Sequence, residues 1–373
     1  MKIGIDIRCL MEKNYSGISE YTYNLLKNIF KLDSQNQYIL FYNSRKPVTV
    51  PLFNQPNVII KGFHYPNKLF NLAMRFLKWP AVDQLIGGCD VFLIPNFLFL
   101  NISPACRRVL IVHDLSFELY PQFFTAKKRL WHTLIGAKQQ CQLAETIVAI
   151  SENTKHDIVD IFHVNAEKIV VINPGIAADF FNPITEAQKQ KVISTYQLPE
   201  KYIFYLGNLE PRKNVECLIK AFEQLKDQNI FLVLAGSLAW KYHSINKLYQ
   251  TSPVRSRIKF LGYVAAEDRP ALYQLAQAFV YPSIYEGFGL PPLEAQSVGT
   301  PVVVGFNSSL IEVVGNSGLL VDQNNYHELA ETLNHVLADV KLRENLSIAG
   351  KLNAKKFSWT NTSNKILNII TNS

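Results

Sequence analysis

The stretch AFVYPSIYEGFGLPPLE, residues 278–294, contains a complete transition from strand to helix. Four apolar and aromatic residues open it and predict a buried strand. Pro291 and Pro292 fit the first turn of a helix, where backbone N–H groups lack helical partners in any case. A strand, a glycine-containing loop and a helix in this order are typical of one repeat of a doubly wound α/β sheet.

The same alternation of strand and helix patterns runs through most of the chain. Short apolar runs predict strands at residues 2–7, 38–42, 57–61, 90–94, 108–112, 146–150 and 168–172, and again at 202–206, 230–235, 257–261, 278–281, 301–304 and 318–321. Helical patterns lie at residues 18–31, 67–86, 125–143, 152–162, 214–226, 267–276, 290–298, 326–338 and 357–370. Apolar strands separated by helices predict parallel sheets that are covered on both faces.

These elements form two groups, separated by the proline- and glycine-marked residues 173–183. We therefore predict an α/β protein with two doubly wound, Rossmann-like domains that face each other across a cleft. The first domain is expected at residues 1–178 and the second at residues 179–356, and a helix in residues 357–373 is expected to return to the first domain. Ligands of such sheets bind beyond the carboxyl ends of the strands, so functional residues are expected in the loops that follow strands.

The net charge is confined to one part of the chain. The 373 residues include 38 Lys and Arg against 30 Asp and Glu, and residues 1–130 hold 16 of the basic and 8 of the acidic side chains. No RNA- or DNA-binding motif accompanies this surplus, so we predict no nucleic-acid partner. The longest apolar stretch is interrupted by Pro95 and Asn96 and is too short to span a bilayer, and the N-terminus lacks a signal-peptide pattern. We therefore predict a cytoplasmic protein that can lie at the inner face of the membrane.

One loop of the second half suits a phosphate. After the strand at 202–206, Gly207 allows a close backbone approach, and Arg212 and Lys213 stand just before a helix that Asn214 is predicted to cap. A guanidinium, an ammonium and free helix N–H groups together favour binding of a phosphate. A solvated basic turn is the alternative.

The stretch quoted first carries a second candidate loop. Glu286 and Glu294 stand eight residues apart and bracket Gly287, Phe288 and Gly289. The carboxylates can accept hydrogen bonds from hydroxyl groups while the backbone N–H groups of the loop hold an anion, so a phosphorylated sugar would meet both demands. Either glutamate alone could instead be a partner of the helix dipole.

The first half offers two weaker candidates. Gly17 opens a helix after the first strand, and His113 directly follows the strand at 108–112. An ordinary turn and a structural histidine are the respective alternatives. The chain has no G-x-x-x-x-G-K-[ST] loop, no complete G-x-G-x-x-G fingerprint and no Asp-x-Asp pair, so we predict neither a bound metal ion nor a resident cofactor.

These residues together resemble the signature of the retaining glycosyltransferases of family 4. The likeness rests on Gly207 with Arg212 and Lys213, and above all on the Glu286 and Glu294 pair that encloses Gly-Phe-Gly. It extends over most of the chain, through Gly4-Ile5-Asp6, Gly17-Ile18, His113-Asp114-Leu115, Asn173-Pro174-Gly175, Gly299-Thr300-Pro301 and Ser358-Trp359. The resemblance implies the two-domain GT-B fold, with an acceptor-binding N-terminal domain and a donor-binding C-terminal domain.

The resemblance also implies a role for each candidate. Arg212 and Lys213 would neutralise the donor diphosphate and the leaving nucleotide, so that no metal is needed. Glu286 would bind the transferred sugar together with N–H groups of its loop, Glu294 would bind the ribose, and His113 would contact the sugar near the reacting carbon. The implied catalytic set is His113, Arg212, Lys213 and Glu286, and the donor-binding set is Gly17, Gly207, Arg212, Lys213, Glu286, Gly287, Phe288, Gly289, Leu290 and Glu294.

The implied activity is transfer of a hexose from a nucleotide diphosphate sugar to a glycan or lipid-linked acceptor, with retention of configuration. The overall resemblance is to bacterial mannosyltransferases that build surface polysaccharide, so mannose and GDP-mannose are favoured. Selection of the base would depend on the pocket around Gly236-Ser237 and Gly262-Tyr263-Val264. A nucleotide-sugar epimerase with the GT-B fold and a non-catalytic nucleotide-sugar binder stay open as alternatives.

Residues 68–79 indicate a membrane partner. On a helical projection, Lys68, Asn71, Arg75 and Lys78 form a polar stripe, and the other positions are apolar or aromatic. A basic stripe on such a helix suits the surface of an anionic membrane. A core-facing helix with a solvated basic face is the alternative.

Overall fold

The computed structural model describes residues 1–12 and 15–372. The chain divides into two compact units. The first unit comprises Met1–Leu115, Ala126–Gly175 and Trp359–Ser373, and the second comprises Ser116–Thr125 and Ile176–Ser358. Residues 116–125 therefore belong to the second unit, whereas the division made from the sequence assigns them to the first domain.

Every strand predicted from the sequence is present in the structure. The strands are β1 (Lys2–Asp6), β2 (Gln37–Asn43), β3 (Val58–Phe63), β4 (Val91–Ile94), β5 (Arg107–Val112), β6 (Thr146–Ala149), β7 (Ile169–Val171), β8 (Tyr202–Leu206), β9 (Phe231–Ala235), β10 (Ile258–Gly262), β11 (Ala278–Tyr281), β12 (Val302–Gly305) and β13 (Leu319–Val321). The α-helices are α1 (Gly17–Leu32), α2 (Asn67–Leu72), α3 (Val82–Leu85), α4 (Ser116–Leu119), α5 (Ala126–Ile135), α6 (Ala137–Leu143), α7 (Glu152–Phe162), α8 (Glu186–Tyr196), α9 (Val215–Phe222), α10 (His243–Thr251), α11 (Arg269–Leu275), α12 (Leu290–Ser297), α13 (Leu310–Val314), α14 (Tyr326–Ala338), α15 (Val340–Ala354) and α16 (Trp359–Thr371).

Each unit is built on one parallel sheet. The first sheet has seven strands in the order β3-β2-β1-β4-β5-β6-β7, and the second has six in the order β10-β9-β8-β11-β12-β13. The inner strands β4, β8 and β11 are buried along their whole length, which explains their unbroken apolar sequences. The strand order reverses between β1 and β4 and between β8 and β11, and such switch points open a crevice at the carboxyl ends of the strands.

The last helix, α16, is part of the first unit. Its Thr362 hydroxyl donates to the Asn173 carbonyl at 2.7 Å, and the Arg107 guanidinium donates to the Ile370 carbonyl at 2.6 Å. The Trp359 ring meets the edge of Tyr21 on α1, with ring centroids 5.2 Å apart. These contacts explain why the amphipathic end of the chain is ordered on this unit.

Residues 116–125 are held by contacts within the second unit. The indole N–H of Trp240 donates to the Phe123 carbonyl at 2.8 Å, and the Phe124 ring stacks on Trp240. The Tyr120 ring lies 5.6 Å from the ring of Tyr285, in the loop that follows β11. A segment that comes between two strands of the first sheet therefore supports the loop of the second sheet that carries the glutamates.

The predicted helix at 67–86 is wrong in its continuity. Helix α2 passes into a π-helix, Ala73–Leu77, and the run ends at Lys78, which has a left-handed φ of 53°. Pro80 follows and cannot continue a helix, so α3 begins as a separate element at Val82. The projection of residues 68–79 onto one regular helix therefore fails beyond Leu72.

Candidate functional site

The loops after β8 and β11 lie side by side, because their strands are neighbours at the switch point. The Ile284 N–H donates to the Arg212 carbonyl at 2.8 Å. Asn214 occupies the first position before α9 with a left-handed φ of 56°, but its side chain does not cap the helix as predicted. The amide instead donates to the carbonyls of Pro282 and Gln323, at 3.1 and 2.6 Å, and so fixes the β8 loop against two others.

A buried ion-pair cluster joins these two loops. The Lys213 ammonium lies 2.6 Å from Glu286 Oε1 and donates to the Tyr281 hydroxyl at 2.7 Å. The Arg212 guanidinium lies 3.1 Å from Glu286 Oε2 and 2.9 Å from Glu210 Oε1. The structure thus brings together three predicted residues, and it adds Glu210 and Tyr281, which the sequence analysis missed.

The cluster perturbs the protonation of its members. Burial alone would raise the pKa of Glu286, but the Lys213 ammonium and the Arg212 guanidinium outweigh it and lower this pKa to about 2. Burial, and next the Arg212 charge, lower the pKa of Lys213. Glu286 is therefore a carboxylate at neutral pH. It can accept hydrogen bonds from hydroxyl groups, but it cannot act as a proton donor.

Acid should weaken the second unit through Glu286. Because its pKa falls from 4.5 to about 2 on folding, the carboxylate stabilises the fold fully above pH 4.5. This contribution, about 3 kcal/mol, should be lost as the pH falls from about 4.5 to about 2. Urea unfolding at pH 7, 5, 4 and 3 should show a steeper acid loss for the wild type than for Glu286→Gln. Equal slopes for the two proteins would contradict the assignment.

Two serines fix the glycine-containing loop. The Ser309 hydroxyl donates to the carbonyls of Glu286 and Phe288, at 2.9 and 2.6 Å, and the Glu286 N–H donates to the Ser308 hydroxyl at 3.0 Å. Gly289 has a φ of 114° and stands directly before α12, which begins at Leu290 as predicted. The backbone of this loop is therefore held independently of any ligand.

Glu294 lies on α12 and is buried. Its Oε2 accepts a hydrogen bond from the Tyr273 hydroxyl at 2.9 Å. The rings of Tyr273 and Phe279 meet edge to face, with centroids 5.1 Å apart, and Phe279 stacks on Tyr281. A row of aromatic rings therefore runs from Tyr273, which donates to Glu294, to Tyr281, which accepts from Lys213.

A cavity of about 250 Å³ lies beside the cluster loops in the second unit. Its wall includes Gly236, Ser237 and Gly262, three of the five residues around which the base pocket was expected, whereas Tyr263 and Val264 are not among its lining residues. Aromatic rings of Tyr242, Tyr249 and Phe260 and the side chain of Leu209 complete most of the lining. Gly207 packs closely against the wall residue Gly236, because an added Cβ on Gly236 would meet the Gly207 carbonyl at 2.0 Å. An added Cβ on Gly207 itself would lie 2.8 Å from the Tyr205 hydroxyl.

Gly17 and His113 belong to the first unit, so their assignment to the donor remains a prediction. His113 follows β5, and its Nε2 lies 2.8 Å from the Pro95 carbonyl. A carbonyl only accepts, so Nε2 carries the hydrogen and Nδ1 of the neutral ring is an acceptor. Burial lowers the pKa of His113. The ring also meets the edge of Tyr21, with centroids 4.8 Å apart, so a neutral imidazole is held in a fixed orientation.

Gly17→Ala should separate a ligand contact from a folding requirement. An added Cβ on Gly17 meets nothing within 4 Å, and the residue opens α1 with no left-handed φ. We expect the unfolding midpoint to stay the same or rise slightly, because alanine favours helix. If the Gly17 backbone approaches a diphosphate as the resemblance implies, the KM for the donor should rise about tenfold. An unchanged KM would remove Gly17 from the donor site.

Two doubly wound units, one with a buried Arg-Lys-Glu cluster at its switch point, define a glycosyltransferase with the GT-B fold. Residues 15–180 match the family described as Glycosyltransferase Family 4, and residues 186–353 match Glycosyl transferases group 1. The chain is 35% identical over 266 residues to the O-antigen chain mannosyltransferase B of Escherichia coli. The aligned region covers 70% of this chain and 69% of that protein. The chain therefore belongs to the family 4 glycosyltransferases and is an enzyme of the hexosyltransferase type.

The chain is also similar to a second mannosyltransferase and, in fold, to several solved structures. The chain is 28% identical over 262 residues to the serotype-specific mannosyltransferase WbdA of Escherichia coli, but it spans only 32% of the length of that protein. Among solved structures, sucrose-phosphate synthase from Thermosynechococcus elongatus has a TM-score of 0.78 at 20% identity, over 99% of this chain and 98% of that one. Anabaena HepE in complex with UDP-glucose has a TM-score of 0.75 at 19% identity, over 100% of both chains. These structures share the fold.

None of the helices within residues 1–12 and 15–372 is long and apolar enough to span a bilayer.

Proposed function

We propose that this glycosyltransferase moves mannose from GDP-mannose to a glycan or lipid-linked acceptor during synthesis of surface polysaccharide, with retention of configuration. The buried cluster of Arg212, Lys213 and Glu286 carries the proposal, because it combines two cations with a hydrogen-bond acceptor that is ionised at neutral pH. Similarity to the Escherichia coli O-antigen mannosyltransferase supports the choice of mannose.

In this proposal the cluster binds both parts of the donor. The diphosphate would share Arg212 and Lys213 with Glu210 and Glu286, and the same cations would stabilise the charge that develops on the leaving nucleotide. Glu286 would meanwhile accept hydrogen bonds from hydroxyls of the sugar. These two cations would supply the positive charge at the diphosphate, and we propose that the reaction needs no metal ion.

The base would occupy the 250 Å³ cavity of the second unit. Its aromatic rings can stack on a flat heterocycle, and Ser237 and Asn246 in its wall offer polar groups that can contact the edge of a base. We propose that Glu294 binds the ribose hydroxyls. For the sugar transfer we favour front-face attack, in which the departing phosphate assists the acceptor hydroxyl.

A donor screen tests the function. The enzyme should hydrolyse or transfer from GDP-mannose faster than from UDP-glucose, UDP-GlcNAc or UDP-galactose, and excess EDTA should leave the rate unchanged. NMR of the product should show the α-anomer of the donor retained. Conversion of a donor into its epimer would favour the alternative of an epimerase. Binding of GDP with no turnover of any donor would favour a non-catalytic binder.

We also propose that the exposed side chains of residues 68–79 contact an anionic membrane. Phe76, Leu77 and Trp79 are 63%, 73% and 71% exposed, and Lys68 and Lys78 are exposed next to them in the chain. This observation replaces the basic stripe expected from the sequence, because Arg75 points to the protein, where its guanidinium donates to the Leu134 carbonyl at 2.8 Å. Exposed aromatic and apolar side chains flanked by lysines suit an interfacial contact.

Vesicle co-sedimentation tests this contact. The wild type should sediment with phosphatidylserine-containing vesicles more than with phosphatidylcholine vesicles. Phe76→Ser/Leu77→Ser/Trp79→Ser should lose most of the binding, and Lys68→Gln/Lys78→Gln should lower it by about tenfold. Ile348→Ser/Leu352→Ser is a matched control, since these residues are 63% and 61% exposed in the second unit. Unchanged sedimentation of the triple variant would refute the contact.

A further inference from the structure

A second cavity, of about 380 Å³, lies in the first unit at its own switch point. Arg8 follows β1, Asn96 follows β4, and Asn43 ends β2, so three strands deliver residues to its wall. Ligands of doubly wound sheets bind at this place, and small-molecule sites commonly have volumes of about 300–1,000 Å³. No residue of the charged cluster lines this cavity, although Ser16 and Ile18, the neighbours of Gly17, do.

The wall of this cavity is rich in side-chain amides. Asn67 and Asn71 stand four residues apart on α2 and line the same cavity together with Asn43 and Asn96. Asn43 is fully engaged: its amide nitrogen donates to the Tyr65 carbonyl and to Asn67 Oδ1, and its oxygen accepts from the Tyr65 N–H. Asn43 therefore orients Asn67.

Several of these amides have unused hydrogen-bonding capacity. Asn96 Oδ1 is buried and accepts no hydrogen bond from any residue that the structure describes. Within residues 1–12 and 15–372, the Asn71 side chain also lacks a hydrogen-bond partner. An unpaired buried amide oxygen is costly unless a ligand or water satisfies it. Each amide offers both donors and acceptors, which matches the hydroxyls of a sugar ring.

The charges in the wall are already paired. Arg8 donates to both Asp6 carboxylate oxygens, with the closest contact at 2.6 Å, and also to the Phe99 carbonyl at 2.9 Å. The Glu12 carboxylate accepts from the Ser19 hydroxyl at 2.7 Å and from the Ser16 N–H at 3.1 Å. A phosphate would therefore meet no uncompensated cation here, whereas a neutral ligand needs none.

The wall of the cavity also contains two aromatic side chains, Phe99 and Trp131. Trp131 is 38% exposed, and its ring meets the edge of Phe99 with centroids 6.2 Å apart. A half-exposed indole supplies a flat apolar surface for the C–H face of a pyranose ring. A wall that contains both side-chain amides and an indole thus suits a ring that is polar at its rim and apolar on its face.

We infer that this cavity binds one neutral hexose residue of the acceptor, through Asn71, Asn96 and Trp131, with Asn67 held in place by Asn43. That the bound hexose belongs to an acceptor rests on the proposed function, whereas binding of the sugar itself does not. The inference favours the glycan part of an acceptor over a phosphorylated headgroup as the moiety recognised at this cavity.

Titration with methyl α-mannoside and with its 6-phosphate tests the inference. Methyl α-mannoside should bind saturably and change the tryptophan fluorescence, and Trp131→Phe should abolish that change. Asn71→Ala/Asn96→Ala should weaken binding about tenfold or more. Asn24→Ala/Asn28→Ala, on α1 and outside the cavity, should bind as the wild type does. Inorganic phosphate should not compete.

Three results would overturn the inference: no saturable binding to the wild type, wild-type affinity in the Asn71 and Asn96 double variant, or tighter binding of the 6-phosphate. Thermal stabilisation by GDP is measured on the same proteins and reports the donor site separately. Sugar binding without GDP stabilisation would leave the inference standing and refute the donor site. GDP stabilisation without sugar binding would leave the donor site standing and refute the inference.

Discussion

Lys213→Met should lower turnover about 100- to 1,000-fold while the protein remains folded. Such a loss is typical when one group that stabilises developing charge in a transition state is removed. Lys213 is well placed for this role, because it is buried in the loop between β8 and α9 and its ammonium is held between Glu286 and the Tyr281 hydroxyl. Methionine keeps the length and the apolar stem of the side chain, so the change removes mainly the charge.

The same change should also cost stability. Glu286 would lose the closer of its two cationic partners and keep only Arg212, so we expect a loss of about 2–3 kcal/mol in the free energy of unfolding. Glu286→Gln introduced together with Lys213→Met should restore most of this loss, because no buried charge is then left without its partner. Urea unfolding of the two single variants and the double variant gives the coupling free energy between Lys213 and Glu286.

Turnover should behave differently from stability in these variants. The double variant should be stable but as slow as Lys213→Met or slower, because both donor contacts are gone. Lys220→Met, which changes an exposed lysine on α9, should match the wild type in both measurements. If Lys213→Met keeps more than half of the wild-type turnover, the cluster is structural and the proposed donor site is wrong.

Prediction from sequence succeeded where burial constrains every residue of an element. Strand β8 is buried at each of its five positions, and β11 at each of its four, so an unbroken apolar run was a sufficient signal. The two loops were predicted as separate sites, but the contact of Arg212 and Lys213 with Glu286 was not. It depends on the order of the strands, because each loop follows one of two strands that are neighbours in the sheet.

Prediction failed where a pattern had more than one reading. Tyr281 looked like the last apolar residue of a strand, and only the structure shows its hydroxyl accepting from Lys213. Helix α8 was not predicted, because it buries only Val192 and its amphipathic pattern is therefore weak. The capping box of Thr185 and Gln188 was nevertheless present in the sequence as a signal for the start of a helix.

The helical projection of residues 68–79 failed for a geometric reason. It assumed 100° per residue throughout, but the chain passes into a π-helix at Ala73 and ends the run before Pro80. The cavity of the first unit was not predicted from the sequence, for a different reason. Asn43, Asn71 and Asn96 come from distant parts of the chain and form no motif, so only the order of the strands brings them together.

Gly289→Ala should be among the most destabilising single changes in the second unit, at about 3 kcal/mol. Two independent costs add: the φ of 114° is rarely adopted by a residue with a side chain, and the new Cβ would lie 2.7 Å from Leu310 Cδ2. Gly289 also sets the start of α12, so displacement of its backbone would move the N–H groups of the loop and lower turnover. Urea unfolding and turnover with GDP-mannose measure both effects.

Gly315 offers a matched control for the backbone part of that cost. It too lies in the second unit with a positive φ, 49°, but an added Cβ meets nothing within 4 Å. Gly315→Ala should therefore cost only backbone strain, about 1–3 kcal/mol, and leave turnover unchanged. Leu310→Ala added to Gly289→Ala should recover the steric part, so the two changes should cost less together than the sum of their separate effects. Equal losses for Gly289→Ala and Gly315→Ala would show that packing against Leu310 is unimportant, and that the loop tolerates a side chain where the donor sugar is proposed to bind.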